Sequence, residues 1–292
     1  MPKETMNSRI TNSFVRRLLT PILVVWLTGI GAPLLRGQEK IPKPSEFVPK
    51  GYRLVWNDEF DGPNLDLKKW QYRQLGKRDG AIIAKESVTL DGKGFLRLST
   101  FKKDDVIHSG MIGTEGKFLQ KYGYFESRIK FQSMQGHHGS FWLQSPTYGK
   151  FIDDPGKSGA EIDIIEYFGA GRKDRGGAVN VYWNPYKPKA LRAGPKELDL
   201  EPILGKPDPA KKPAPELSDD FHVYALNWTD KGYVFLIDGK ELYRTTEGLS
   251  HQAQNIVLSL LCSDWERKRL DDSKLPEAMI VDYVRVYASG KK

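Results

Sequence analysis

The chain is organised around the segment Gly159–Phe168, which reads GAEIDIIEYF. Isoleucines with a strong strand preference separate three carboxylates, and alternate side chains of a strand share a face. Glu161 and Asp163 are therefore expected on one face, with Glu166 out of step by one residue. A single β-bulge at Ile164–Ile165 would return Glu166 to the acidic face, and bulges re-aim side chains beside active sites.

The alternative for this segment is a charged, solvated strand face, which is the usual setting of a single strand glutamate. Three acids crowded on one pleated face repel one another, because like charges held close on a sheet are destabilising. The segment therefore predicts a chemical use for its acids.

Paired carboxylates that face a sugar-sized cleft are typical of glycoside hydrolysis. Retaining enzymes hold the two groups about 5–5.5 Å apart, one as nucleophile and the other as acid and then base. We assign Glu161 as the nucleophile, Glu166 as the general acid/base and Asp163 as the group that orients the nucleophile. Crowded negative charge raises the pKa of whichever group must stay protonated.

The rest of the chain indicates an all-β sandwich. Its 292 residues suit one large all-β domain or two smaller domains, and seven Trp and thirteen Tyr suit a globular protein. Strand-like runs without helical periodicity lie at Gly94–Thr100, Tyr124–Phe131, Tyr233–Ile237, Ile256–Leu261 and Met279–Tyr287. The pair Asp238–Gly239 between two such runs predicts a hairpin.

Residues 1–37 are interpreted as a signal peptide. Arg16 and Arg17 precede an apolar run at 18–35, which is the pattern of a secretory signal. The alternative is an uncleaved N-terminal anchor, the only case in which membrane contact is expected. We expect a secreted, periplasmic or cell-surface protein.

Charge and cysteine content narrow the function further. Without residues 1–37 the chain carries 40 basic and 36 acidic residues, a net charge of +4. This balance gives no reason to expect a nucleic-acid partner. Cys262 is the single cysteine, so there is no internal disulfide, and its apolar neighbours predict a buried thiol rather than a nucleophile.

Two segments differ from the strand pattern. Residues 38–50 contain spaced prolines and are interpreted as a linker before the catalytic domain at 51–289. Residues 184–216 hold eight prolines and cannot be a central strand. We expect this proline-rich loop near the mouth of the site, and a disordered insert is the alternative.

The acidic segment resembles the bulged E-x-D-x-x-E signature of glycoside hydrolase family 16. Four further blocks resemble the family in the expected order: Val55–Gly62, Tyr122–Arg128 with Phe141–Leu143, Phe221–Trp228 and Asp282–Tyr287. The resemblance implies a concanavalin-like β-jelly-roll with a concave substrate cleft across one sheet. It also implies for the three acids the roles assigned above.

The chain departs from the pattern of the family's β-1,3-glucanases at two places. Those enzymes commonly show G-x-W-P-A-F-W, whereas Gly136–Trp142 reads GHHGSFW and places His138 where they have a cleft tryptophan. They also tend to carry a histidine on the strand after the catalytic one, where this chain has Val181–Trp183. Both departures alter the cleft lining and therefore bear on substrate choice.

Aromatic rings stack on sugar faces, so Trp142, Trp183 and Trp265 are candidate subsite residues. Core packing is the alternative for each. Trp183 is preferred because it follows the catalytic strand and precedes the proline-rich loop. Tyr182 is a further candidate, but in a regular strand only one of the two can face the cleft. His138 is interpreted as a hydrogen-bond donor to sugar.

Metal binding is expected to be structural if it occurs. His137 and His138 point to opposite faces of a strand and have no third partner at suitable spacing, which argues against zinc. The family resemblance implies a structural calcium on the convex side, where Glu59 and Asp282 occupy the corresponding places. Surface salt bridges are the alternative for both residues. Catalysis by two carboxylates requires no cofactor.

The sequence thus predicts a secreted, monomeric, retaining endo-β-glycanase that acts on a polysaccharide. A β-1,3- or mixed-linkage β-1,3/1,4-glucan is the first candidate substrate, and an algal galactan such as agar, porphyran or carrageenan is the second. A transglycosylase and a non-catalytic carbohydrate-binding protein remain alternatives on the same fold.

Overall fold

The computed structural model describes residues 45–185, 191–208, 210 and 213–290. The predicted signal peptide or anchor at 1–37 lies outside the described residues, as does the predicted linker up to residue 44. Within the described ranges, none of the helices has the length and apolar character needed to span a membrane.

The described residues form seventeen strands and only short helices. The strands are β1 (Tyr52–Asp58), β2 (Gln71–Tyr72), β3 (Gly76–Arg78), β4 (Ala81–Ile83), β5 (Val88–Leu90), β6 (Leu96–Lys103), β7 (Val106–Gly113), β8 (Gly123–Lys130), β9 (His138–Gln144), β10 (Glu161–Tyr167), β11 (Gly177–Trp183), β12 (Leu191–Ala193), β13 (His222–Thr229), β14 (Gly232–Ile237), β15 (Lys240–Thr245), β16 (Asn255–Leu261) and β17 (Glu277–Ser289). The helices are α1 (Pro155–Ser158), α2 (Glu201–Leu204) and α3 (Asp264–Arg267), with 3-10 turns at Lys85–Ser87 and Asp272–Lys274.

The strands form two antiparallel layers. Sheet A has the order β5-β6-β17-β8-β13-β14-β15, and β1 pairs with the C-terminal half of β17. Sheet B has the order β12-β11-β10-β9-β16-β7-β2. The layers connect where β7 forms a hairpin with β6 and runs parallel to β4, the partner of β3. The predicted all-β sandwich is confirmed.

The hydrophobic core lies between the two sheets. The ring of Phe131 is 5.1 Å from that of Tyr224 in sheet A and 5.4 Å from that of Tyr167 in sheet B. Phe125 and Ile129 of β8 join the same core, as the alternation of that strand predicts. The acidic strand β10 therefore has one face in the core and the other facing outward.

Residues 45–50, which the sequence assigns to the linker, pack on sheet A. Phe47 and Val48 contact a small cluster on the outer face of this sheet. Ser45 Oγ donates a hydrogen bond of 2.5 Å to a carboxylate oxygen of Glu126. Strand alternation places Glu126 on this outer face, yet the residue is fully buried there, and burial raises its pKa. Alternation gives the face of a residue and not what covers that face.

The predicted hairpin at Asp238–Gly239 is confirmed. The pair joins β14 to β15, and both residues have positive φ values, 48° and 72°. Positive φ at both central positions is the requirement of a type I′ turn, which Asp-Gly meets readily. A side chain on Gly239 would also meet the ring of Phe47, so the turn needs glycine for space as well.

The proline-rich loop is described at 184–185, 191–208, 210 and 213–216. Within it, β12 forms the edge of sheet B by pairing with β11. An edge position agrees with the prediction that this segment is no central strand. Leu198 and Leu200 are buried in the core, which ties this part of the loop to the sandwich. The pairing of β12 with β11, the neighbour of the acidic strand β10, places Arg192 close to that strand.

Candidate active site

The acidic strand β10 carries a bulge between two regular neighbours. Asp163 lies opposite Trp142 of β9 and Asn180 of β11. Glu166 lies opposite Ser140 and Ala178, so each neighbour has one intervening residue where β10 has Ile164 and Ile165. Both isoleucines are buried in the core. The predicted bulge is confirmed, and it returns Glu166 to the face that carries the other two acids.

Glu161 is held by an amide. Gln144 Nε2 donates a hydrogen bond of 2.8 Å to Glu161 Oε2. The side-chain oxygen Oε1 of Gln144 accepts a hydrogen bond from Arg73. The guanidinium of Arg73 also pairs with Glu115 at 2.5 Å. Burial and then the charge of Glu166 raise the pKa of Glu161, while Gln144 and Arg73 lower it. The ionised form needed for nucleophilic attack therefore depends on this amide and this arginine.

Glu166 is held from two sides. His138 Nε2 lies 2.6 Å from Glu166 Oε1. Asn180 Nδ2 donates a hydrogen bond of 2.5 Å to Glu166 Oε2. Asn180 Oδ1 in turn accepts a hydrogen bond of 2.5 Å from Arg192 Nε. Both carboxylate oxygens of Glu166 are thus oriented, although 9% of the residue stays exposed.

Asp163 is the most deeply enclosed of the three acids. Burial, followed by the charges of Glu166 and Glu161, raises its pKa well above the usual value, and Arg192 opposes this effect only partly. An aspartic acid that keeps its proton can donate a hydrogen bond to a neighbouring carboxylate. Asp163 is therefore suited to orient an ionised glutamate beside it.

An aromatic group borders the Glu166 end of the site. The ring of His138 lies 5.1 Å from that of Phe168 and 5.4 Å from that of Trp265. Trp265 stands on α3 and is 55% exposed, so much of its surface is open to a ligand. The structure therefore brings the candidates His138 and Trp265 together beside Glu166. His138 bonds to Glu166, whereas the sequence suggests a bond to sugar.

Tyr182 and Trp183 lie on opposite faces of β11, as alternation predicts. Tyr182 is opposite Glu161, and burial together with the charge of Glu166 raises the pKa of its hydroxyl to about 12. Trp183 packs against the core, and a side chain on Gly248 would collide with its ring. Tyr182 is therefore the residue that faces the acids, which corrects the preference for Trp183.

Trp142 shares the face of the acids but is largely covered there. It is opposite Asp163, 8% exposed, and packed in a small cluster with Ile83, Met111, Val257 and Leu261. Its Nε1 donates a hydrogen bond of 3.1 Å to Ser259 Oγ. The guanidinium of Arg73 covers the ring at 4.9 Å from its centroid. Trp142 thus supports Arg73 and offers little surface for stacking on a sugar.

The two residues considered for calcium are each paired with an arginine. Arg285 donates hydrogen bonds of 2.9 and 2.7 Å to the carboxylate of Glu59. Asp282 pairs with Arg128 at 2.6 Å. Calcium takes six to eight oxygen ligands, which these two carboxylates alone would not supply, and the structural calcium stays a prediction. In the described part of the chain, no group of three His, Cys, Asp or Glu side chains is arranged for a metal ion.

The sequence analysis missed the residues that hold the glutamates. Gln144 and Asn180 could have been found, because each lies two positions from a candidate on the same strand and therefore on the same face. Arg73 directly follows β2 and Arg192 lies on β12, and no local pattern marks either residue. Phe168 directly follows β10 and was passed over because it ends the acidic segment.

Comparisons with known proteins identify a family and several relatives. Residues 55–289 match the family described as "Beta-porphyranase A-D, GH16 domain". A beta-glucanase of Rhodothermus marinus is 26% identical over 267 residues, which are 81% of this chain and 85% of that protein. Beta-porphyranase B of Zobellia galactanivorans is 25% identical over 211 residues, 67% of this chain and 69% of that protein. A solved non-specific endo-β-1,3(4)-glucanase of family GH16 has a TM-score of 0.61 and 23% identity, covering 83% of this chain and 93% of that one.

The fold and the three acids define a jelly-roll glycoside hydrolase, and the predicted fold class is confirmed. The chain belongs to glycoside hydrolase family 16, in the group of beta-porphyranase A–D domains. It is an enzyme that cleaves O-glycosyl bonds, and the mechanism of the family retains the anomeric configuration.

Proposed function

We propose that the protein is an endo-β-glycanase that hydrolyses β-1,3- or mixed-linkage β-1,3/1,4-glucan by double displacement. One observation carries the proposal: the bulge places Glu161, Asp163 and Glu166 on one outward face, with separate supports for the two glutamates. A protein that only binds glycans has no need of three crowded, partly buried acids.

The geometry suggests the following mechanism. Glu166 donates its proton to the glycosidic oxygen while a carboxylate oxygen of Glu161 attacks the anomeric carbon, giving a covalent glycosyl-enzyme. Glu166 then removes a proton from water, which attacks the same carbon and releases Glu161. Two displacements at one carbon leave its configuration unchanged. Asp163 orients Glu161 throughout, and neither step requires a cofactor.

The substrate preference rests on the relatives and on the lining of the cleft. The beta-glucanase of Rhodothermus marinus covers most of this chain, which favours a glucan. A galactan is the second candidate, because the matched family model describes porphyranases and His138 stands beside Glu166 where a cleft tryptophan is common in glucanases. The leaving sugar would lie beside the general acid, so Trp265 is proposed as its stacking partner.

The test is a panel of laminarin, mixed-linkage glucan, agarose, porphyran and carrageenan, with products identified by chromatography. We expect oligosaccharides from a β-glucan. Glu161→Gln and Glu166→Gln should each lower kcat by about 10³-fold or more while the melting temperature stays near that of the wild type. The first product should keep the β configuration by NMR.

Each alternative has its own outcome in this experiment. Products only from a galactan would replace the glucan assignment. With an oligosaccharide of the same glycan as the substrate, products longer than that oligosaccharide would indicate a transglycosylase. Unchanged glycan affinity in both variants, with no product from any glycan, would indicate a binding protein and contradict the proposal.

We also propose that the enzyme is secreted, on the basis of the basic and apolar pattern in residues 1–37, and that it works as a monomer.

A further inference from the structure

In the part of the chain that the structure describes, an amide links each of the two glutamates to an arginine. On the Glu161 side, the guanidinium of Arg73 donates to the carbonyl oxygen of Gln144, and the amide nitrogen of Gln144 donates to Glu161 at 2.8 Å. We call Arg73 and Gln144 the nucleophile-side pair. The guanidinium of Arg73 is largely buried, since its side chain is 11% exposed.

The Glu166 side repeats this arrangement with residues from other strands. Arg192 donates to the carbonyl oxygen of Asn180 at 2.5 Å, and the amide nitrogen of Asn180 donates to Glu166 at 2.5 Å. We call Arg192 and Asn180 the acid-side pair. Arg192 is anchored further by a hydrogen bond of 3.2 Å from its Nη2 to the carbonyl oxygen of Pro195.

An amide beside a carboxylate has one productive direction. Its nitrogen can donate to the carboxylate, but a flipped amide would place two acceptor oxygens against each other. An arginine has only hydrogen-bond donors and is always charged. It therefore favours the amide orientation in which the amide oxygen faces the guanidinium. The arginine therefore keeps the amide in the orientation in which its nitrogen donates to the glutamate.

The intervening amide also keeps the positive charge at a distance. A direct arginine–carboxylate pair would be a strong bidentate contact that occupies both oxygens of the glutamate. Through the amide, the guanidinium favours the ionised carboxylate by its charge and leaves an oxygen of Glu161 for attack. The same arrangement orients Glu166 without a direct ion pair to arginine.

We propose that the two pairs are positioning residues, in which each arginine fixes the direction of its amide and each amide sets the orientation and protonation of one glutamate. The inference rests on the proposed function. It predicts that the two pairs act on different halves of the pH profile, because the nucleophile must be ionised and the general acid must be protonated.

Other titratable groups also face the site and enter the test. They are Asp163 on β10, His138 on β9, Tyr182 on β11, Arg78 on β3 and Glu115 after β7. Since Glu161 and Glu166 interact, the acid and alkaline limbs of the kcat/KM profile each report the coupled pair and not one residue. The test therefore compares the position of each limb between a variant and the wild type.

The experiment measures kcat/KM against pH for the full chain and for six single variants, one of them a control, on the best substrate of the panel. Gln144→Met keeps the length of the side chain and removes the donor to Glu161. We expect its acid limb to move to higher pH by about one unit, with the alkaline limb unchanged. Arg73→Met should move the same limb in the same direction.

Asn180→Leu keeps the shape of the side chain and removes the donor to Glu166. Because this donor favours the ionised carboxylate, its loss should move the alkaline limb to higher pH by about one unit, with the acid limb unchanged. Arg192→Met should move the same limb. Arg97→Met, on an exposed position of β6 in sheet A, is the matched loss of charge and should move neither limb.

The outcomes separate this inference from the proposed function. Unmoved limbs in variants that melt like the wild type, while the wild type hydrolyses a glycan, would overturn the inference alone. A wild type that hydrolyses no glycan would overturn both. If an amide variant fails to fold, the arginine variant of the same pair decides, and Arg192→Lys should lie between Arg192→Met and the wild type.

Discussion

Asp163 lies between the two glutamates of the site, in surroundings that disfavour its ionised form. It is 6% exposed and stands between two glutamates, so burial and their charges raise its pKa well above the usual value. An unfolded chain leaves this acid in water, where it ionises from about pH 4 upward. Its contribution to folding stability is therefore complete below that pH and is lost as the pH rises toward the folded-state pKa.

Asp163→Asn should therefore stabilise the protein at pH 7. An asparagine has no proton to lose, so the variant escapes the pH-dependent loss and should gain about 1 kcal/mol or more. In a domain of this size, 1 kcal/mol corresponds to about 2–4 °C in Tm. Thermal melts at pH 7 and pH 3.5 should show a gain that disappears at the lower pH, together with a kcat reduced about tenfold or more.

Asp105 provides the control for this prediction, because its side chain is 96% exposed. Asp105→Asn should leave the melting temperature nearly unchanged at both pH values. An Asp163→Asn protein that is less stable than the wild type at pH 7 would show that the carboxyl group is better accommodated than its burial suggests.

Single residues differ in how far the sequence predicts them. The three acids could be predicted because strand alternation and one bulge determine their face. Proximity in sequence to the catalytic strand does not place Trp183 in the cleft, because alternation turns it to the opposite face from Tyr182. Arg73 and Arg192 could not be predicted, because their positions beside the amides depend on chain paths from β2 and β12 that no local pattern encodes.

At the scale of elements, α3 and β11 present two tryptophans with different surroundings. Trp265 on α3 is exposed beside His138, whereas Trp183 at the end of β11 packs on the core. A stacked aromatic ring contributes about 0.5–1.5 kcal/mol beyond its buried area. The two residues should therefore affect different measured quantities.

Trp265→Ala should raise KM by about three- to tenfold and change kcat by less, because it removes a stacking surface and no catalytic carboxylate. Its melting temperature should stay near that of the wild type. Trp183→Ala is the matched comparison and should lower Tm by several degrees while KM stays nearly constant. Steady-state kinetics and thermal melts of both proteins measure these effects. A raised KM for Trp183→Ala together with a lowered Tm for Trp265→Ala would contradict the assignment of Trp265 to the cleft and Trp183 to the core.

Elements were predictable where local chemistry determines them. The Asp238–Gly239 hairpin follows from the two positive φ values of a type I′ turn. The packing of residues 45–50 over Glu126 did not follow, because prolines indicate an extended chain and say nothing about the surface that the chain crosses.

At the scale of the whole molecule, the sandwich encloses its only cysteine. Cys262 follows β16 and packs with Ala81 and Ile107, and burial raises the pKa of its thiol to about 11. The prediction of a buried thiol is confirmed. At pH 8 only about one thiol in a thousand is ionised at such a pKa, and the thiolate is the reactive form.

The folded protein should therefore resist iodoacetamide at pH 8, with less than about a tenth of the molecules labelled in the time that labels the denatured chain fully. Intact-mass spectrometry before and after denaturation measures this difference. Where opening and closing are fast, the residual labelling rate reports the population of open molecules, so destabilised variants should label faster. Complete labelling of the native protein would place the thiol at the surface.

The bulge has a consequence for chain length. Because β9 and β11 each place one residue between the partners of Asp163 and Glu166, a β10 shortened by one isoleucine would match both neighbours without moving either pair. The three acids would still share a face in such a regular strand. Strand pairing therefore does not require the additional isoleucine. A one-residue deletion would keep Glu166 on the acidic face and would separate this placement from the effect of the bulge on the direction of its side chain.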